Sequence, residues 1–146
     1  MAKTNANQLI GMVEDWYSKL PPLPKNWTEV IAKVTPWVAL VFGILGVLAA
    51  LAAFGIFTVA APFVAMGSGV GAASGNIVAS VFWFISSALM LAAFPGTRAM
   101  KMSGWTLLFY SEVAHLLSSV VIFSVSGVIG ALIVFYVLFQ IKSHYK

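Results

Sequence analysis

Hydrophobic positions are distributed along this chain in two distinct ways. Over residues 9–20 they return every three or four places, at Leu9, Val13, Trp16 and Leu20, with Ile10 and Tyr17 alongside and Gln8, Glu14, Asp15, Ser18 and Lys19 elsewhere on the wheel. That period predicts an amphipathic helix, suited to lying on a cytoplasmic leaflet or docking on a partner. Beyond residue 36 the periodicity gives way to runs of apolar residues at about 37–57, 77–94, 105–123 and 128–141. Crossing a bilayer takes roughly 20 residues, so each run is read as a transmembrane helix, the last two being short.

Punctuation between these runs sets the expected boundaries. Residues 20–24 read LPPLP and end the first helix, because proline lacks an amide hydrogen and restricts the residue before it. Asn26 and Glu29 resemble a capping box, opening a short interfacial helix with Trp27, Val30, Ile31 and Val34 on one face. Thr35 and Pro36 then fit the cap and first position of the first span. Residues 58–76 carry no charge and include GSGVGAASGN, the composition of a loop. Its glycines at 67, 69, 71 and 75 lack a following Lys-Ser/Thr pair, which removes a phosphate-loop reading. Asn76 caps the second span, Pro95 and Gly96 close it, and residues 124–127 turn the chain into the fourth. KVTPW at 33–37 and KMSGW at 101–105 each set an interfacial Trp at the start of a helical hairpin. The expected fold is all-α: an integral membrane protein with four transmembrane helices, preceded by an N-terminal amphipathic and interfacial segment. Residues 1–35 form the cytoplasmic part and residues 36–146 the membrane domain.

Composition supports this reading. The chain is 61% hydrophobic and 8% charged, against about a quarter charged in soluble domains. Its net charge of +4 comes from residues spread singly or in pairs, with no basic stripe for nucleic acid. Lys3, Lys19, Lys25 and Lys33 precede the first span, Arg98 and Lys101 separate the second and third, and Lys142 and Lys146 follow the fourth. By the positive-inside rule both termini are cytoplasmic, in a plasma or inner cell membrane. Cysteine is absent, which excludes disulfides, thiolate nucleophiles and Cys-ligated metals.

Two constellations carry candidate chemistry. Ala39, Gly43, Gly46, Ala50 and Ala53 form a small-residue stripe on the first span, and Gly127 and Ala131 a smaller one on the fourth. Such stripes let backbones approach, within the chain or between copies. In the third span Ser111, Glu112, His115, Ser118 and Ser119 fall within roughly a third of the wheel at 100° per residue. Ionisable residues in a span are costly and mark functional sites by default. Glu-x-x-His also occurs in di-iron bundles, but those need two such motifs and two further glutamates, so no metal or cofactor is expected. Neither HExxH nor a Gly-x-Ser-x-Gly elbow is present, and the chain is not expected to be an enzyme. In size and in its single membrane glutamate it resembles the small multidrug transporters. Those carry the glutamate in their first helix and lack a long N-terminal segment, so no residue is carried across. The expected role is a noncatalytic scaffold or accessory membrane component, whose partners are the bilayer and a membrane protein or second copy. The alternative is a small oligomeric proton- or cation-coupled transporter or channel using Glu112 and His115.

Overall fold

A computed structural model describes residues 2–68 and 70–146, and among these the chain is helical with no strand. Helix α1 spans Ala2–Tyr17, α2 Lys25–Ser68, α3 Val70–Arg98, α4 Met102–Val121 and α5 Val125–Ile141, followed by a 3-10 turn over Lys142–His144. Among the described residues three segments are long and apolar enough to cross a membrane: Lys25–Phe63, Ser74–Arg98 and Val125–His144. Helix α4, at 20 residues, has the length of a span, about 30 Å, but a polar sector dilutes its hydropathy.

Two expected breaks are absent. The interfacial helix and first span are one helix, with Pro36 inside it and the 35/36 boundary unmarked. Nor does a capping box form, since Lys25 already belongs to α2 and Glu29 pairs forward with Lys33 at 2.7 Å. Proline removes one ladder hydrogen bond, and nearby hydroxyls and packing can offset that in an apolar helix. Here the carbonyls that lose a donor are Ala32 O and Thr58 O. The neighbouring hydroxyls bond one turn back in the ordinary way, Thr35 Oγ1 donating to Ile31 O at 2.7 Å and Thr58 Oγ1 to Phe54 O at 2.9 Å, so packing carries the offset. The expected loop at 58–76 is helical on both sides of Gly69, which lies outside the described residues. Backbone that meets few polar partners is best satisfied by its own helix, and this outweighs the loop-like composition.

Neighbouring helices run antiparallel in the order α2, α3, α4, α5. Small residues set the spacing between them. A Cβ on Gly43 would meet Leu91 Cδ2 at 2.7 Å, and one on Gly46 would strike the Ser87 hydroxyl, so the stripe on α2 is filled by α3. Tightest of all is the crossing of α3 and α4, where a Cβ on Gly104 would strike the backbone of Gly96 and Thr97. The two backbones touch there. Because α4 ends soon after Ser118, which hydrogen-bonds Ala79 O, the α2–α3 hairpin continues beyond α4 and α5. On that extension Val59, Phe63 and Met66 are highly exposed.

The core centres on α4. Trp105, expected at the interface, is fully buried, and its Nε1 donates to Leu138 O at 2.8 Å. Phe109 stacks on it at 5.8 Å, and Phe135 and Phe139 of α5 lie 5.5 and 6.0 Å from Phe109. Trp37, by contrast, stays 54% exposed with Arg98 over its ring at 5.7 Å.

Helix α1 folds back on its own chain. Ile10, Val13 and Tyr17 turn toward the α4–α5 pair, whereas Leu9, Met12, Trp16 and Leu20 face outward. The inward face is thus rotated from the one marked by Leu9, Trp16 and Leu20, because ring contacts to Tyr136 at 6.4 Å and Phe139 at 5.5 Å anchor Tyr17. Glu14 forms an ion pair with Lys142, and Tyr17 donates to Leu132 O at 3.0 Å. The Pro-rich connection is tied down as well, with Tyr136 donating to Pro21 O at 2.6 Å and Leu23 N to Gln140 Oε1 at 3.1 Å.

Residues after α5 close the basic end. His144 Nε2 lies 3.0 Å from Thr28 Oγ1, Lys146 N donates to Met100 O at 2.9 Å, and Met102 N donates to Lys146 O at 2.8 Å. These bonds join the tail to α2 and to the α3–α4 turn, where Met100 takes the left-handed conformation at φ 52°.

Candidate functional site

Helix α4 sorts its polar residues by neighbour. Ser111 and Ser118 are seven positions apart, hence almost in line on a helix, and both face α3. Ser111 Oγ donates to Ser86 O at 2.9 Å and lies 3.2 Å from Ser86 Oγ, and Ser118 Oγ donates to Ala79 O at 2.9 Å. Interhelical hydroxyl bonds of this kind hold helices together where the surroundings are apolar. Ser119 bonds back to His115 O at 3.1 Å and abuts Gly127, where a Cβ would meet Ser119 Cβ at 2.9 Å. So the serines of the predicted sector are buried structural contacts. Ala131 is likewise fully buried, Ala39 and Ala50 nearly so, and Ala53 half-buried.

Glu112 and His115 differ from the serines. One turn apart, they meet side chain to side chain, His115 Nδ1 to Glu112 Oε1 at 3.1 Å. Among the described residues this is the one hydrogen bond Glu112 makes. Glu112 is 8% exposed, while the His115 side chain is 39% exposed. Glu112 lies where α2 and α5 stand apart. Between those helices runs a groove of about 450 Å³, walled by Val34, Val38, Ile133, Val134 and Val137, with Glu112 and Ser111 at its α4 face. Thr35, also in the lining, spends its hydroxyl on Ile31 O, and Ser111 spends its own on Ser86. Glu112 and the indole N–H of Trp27 are therefore the polar groups the lining residues have left to offer.

No protein-family model, curated protein or solved structure matches the chain. What the site can do follows from its own groups. A carboxyl beside an imidazole can hold or pass a proton, and can accept a hydrogen bond from whatever enters the groove. Among the described residues no group of three or more His, Cys, Asp or Glu converges as a metal site would require. Sequence reasoning missed the α3 partner Ser86 and the touching pair Gly96 and Gly104. The doublet Ser86–Ser87 held a usable signal: adjacent hydroxyls on one helix point about 100° apart, and here one serves α4 and the other faces α2. Glycines at a crossing are legible only when the partner helix is known.

Proposed function

We propose that the chain is a noncatalytic accessory or scaffold component of the cell membrane, with four spans and both termini cytoplasmic. The observation that carries this reading is the bare flank of α2. Helix α3 is its one extensive neighbour, and Phe42, Leu45 and Leu48 are each about 60% exposed on a helix without a polar side chain over residues 37–57. Such a surface suits lipid and another membrane helix. The small-residue stripe is already used against α3, so a partner or second copy would meet the large apolar side chains instead. Because the chain has no cysteine, single cysteines at Phe42, Leu45 and Leu48 can be crosslinked in native membranes without background. A discrete crosslinked species from this flank is expected, and monomer at every position would overturn the proposal. Topology is tested separately. Reporters fused after Lys146 and within residues 67–75 are expected on opposite sides of the membrane, and finding them on the same side would refute four spans.

Proton or cation transport is a second reading, supported by the Glu112–His115 pair beside a groove that opens between helices. Liposomes containing the protein and a pH-sensitive dye would then show a flux that Glu112→Gln abolishes. Absence of flux across ion and pH gradients would exclude it.

A further inference from the structure

We infer that Arg98, held on the Trp37 ring at the basic end of the α2–α3 hairpin, binds the phosphate of an anionic phospholipid whose acyl chain lies along the bare stripe of α2 below it. This rests on α2 and α3 crossing a bilayer and goes beyond both functional readings, since a bound lipid can serve a scaffold or a transporter.

The arginine is positioned but unspent. Carbonyls in the last turn of α3 are met by backbone, with Ala99 N donating to Pro95 O at 3.1 Å, Met100 N to Thr97 O at 3.0 Å and Lys101 N to Gly96 O at 2.9 Å. Arg98 is therefore not needed as a cap. Among the described residues it forms no ion pair, whereas Lys33 and Lys142 are engaged by Glu29 and Glu14. Its guanidinium lies over the Trp37 ring at 5.7 Å, and Phe94 fixes that ring edge-on at 5.8 Å. Stacked on an indole, the planar fork keeps its N–H edges free, and those edges match two oxygens of a phosphate.

Depth decides the source of that phosphate. Trp37 opens the stretch of α2 without a polar side chain, residues 37–57, so its ring marks the level where hydrocarbon gives way to head groups. Below it Val41, Ile44 and Leu48 follow at intervals of four, three and four on the same face, all exposed. A free phosphate would use the arginine and ignore this stripe, while a lipid uses both. Charge then selects among lipids. Lys101 follows Arg98 by three residues and, like it, faces no acid within ion-pair distance among the described residues. The one acid of α2, Glu29, is already engaged by Lys33 at 2.7 Å, and α3 has none. The cationic group of a zwitterionic lipid therefore finds no unpaired carboxylate on this hairpin, whereas a head group of net negative charge answers the charge that is there.

The test uses the full chain in phosphatidylcholine nanodiscs doped with photoactivatable phosphatidylglycerol or, separately, the matching phosphatidylcholine, each with a diazirine on one acyl chain. Mass spectrometry of peptides maps the label. Residues 37–48 are expected to be labelled about fivefold more by the glycerol lipid than by the choline lipid. Arg98→Gln should bring that ratio to about one. Lys25→Gln removes a charge from the same end but about 18 Å along α2 from Trp37, and should leave the ratio as in wild type. Equal labelling by the two lipids, a ratio that survives Arg98→Gln, or one that falls as far in Lys25→Gln would each overturn the inference. So would loss of labelling on adding soluble glycerol phosphate, which would mark a site for the head group alone. Should Arg98→Gln fail to fold, the two lipids on wild type and on Lys25→Gln decide. A chain that does not enter the discs at all would instead refute the membrane reading on which the site rests.

Discussion

Over residues 37–57 helix α2 has no polar side chain, yet most of its surface is bare, while α4, with four serines, a glutamate and a histidine, is the helix the others enclose. In water the order would be reversed, since apolar burial drives folding there. Where the surroundings are themselves apolar, burying leucine gains little, and hydrogen bonds and close backbone contact choose what goes inside. The two helices thus differ in what holds them: α2 by fit against α3, and α4 by polar and aromatic bonds on two sides. That contrast makes specific outcomes expected.

Breaking it most severely requires adding bulk to α4 where it touches α3. Gly104→Leu is expected to destabilise the fold by about 3 kcal/mol, because the obstructing atoms are backbone and cannot rotate away. Phe42→Ala on the bare flank should stay within about 0.5 kcal/mol. Thermal unfolding of both variants in nanodiscs measures the gap, and equal losses would erase the distinction. Next come the two tryptophans. Trp105→Phe removes the donor to Leu138 O inside the core and is expected to cost about 2 kcal/mol. Trp37→Phe weakens only an exposed contact with Arg98, about 0.5 kcal/mol. Smaller still, Ser118→Ala should cost about 0.6 kcal/mol by deleting an interhelical bond to α3. Thr58→Ala, whose hydroxyl bonds its own helix, is expected to be silent in the same assay.

The mildest effect concerns α1. Burial, and after it the Glu112 charge, hold the Tyr17 phenol above its ordinary value of 10.0. Since the folded value is raised, the contribution of the neutral phenol is complete below pH 10 and is lost as pH rises through the folded value. An ionised Tyr17 can no longer donate to Leu132 O. Cleavage within residues 18–24 by an alkaline protease should accelerate over that interval in wild type, and not in Tyr17→Phe.

Much of this arrangement is legible from side-chain patterns. The apolar runs mark the helices, and a wheel drawn on residues 105–123 brings Glu112 and His115 together and gathers the serines. Three features resist such reading, each for its own reason. Residues 58–76 have the glycine and serine content of a loop, yet helix persists there as backbone with few alternative partners tends to do. Which face of α1 turns inward depends on ring partners more than a hundred residues away, Tyr136 and Phe139, that no local period records. The Glu112–His115 pair could be drawn from spacing alone, but the groove beside it arises from how far α5 stands from α2, a distance the sequence does not carry.

The hairpin that outruns its neighbours has a consequence for the lipid. Helix α2, at 44 residues, is about 66 Å long, whereas α5, at 17 residues, is about 26 Å. A hydrocarbon core of about 30 Å fits the second and falls short even of the uncharged part of the first, residues 34–68, which is about 53 Å long. In a bilayer spanned as proposed, lipid on the α5 side would meet a helix slightly shorter than the core and would thin. Along the hairpin it would thicken, or the hairpin would lean or extend past the core. Each ångström of mismatch costs a fraction of a kcal/mol, enough to sort proteins among membranes of different thickness. Inserted as proposed, a molecule with one short flank and one long one would impose a gradient of bilayer thickness around its circumference.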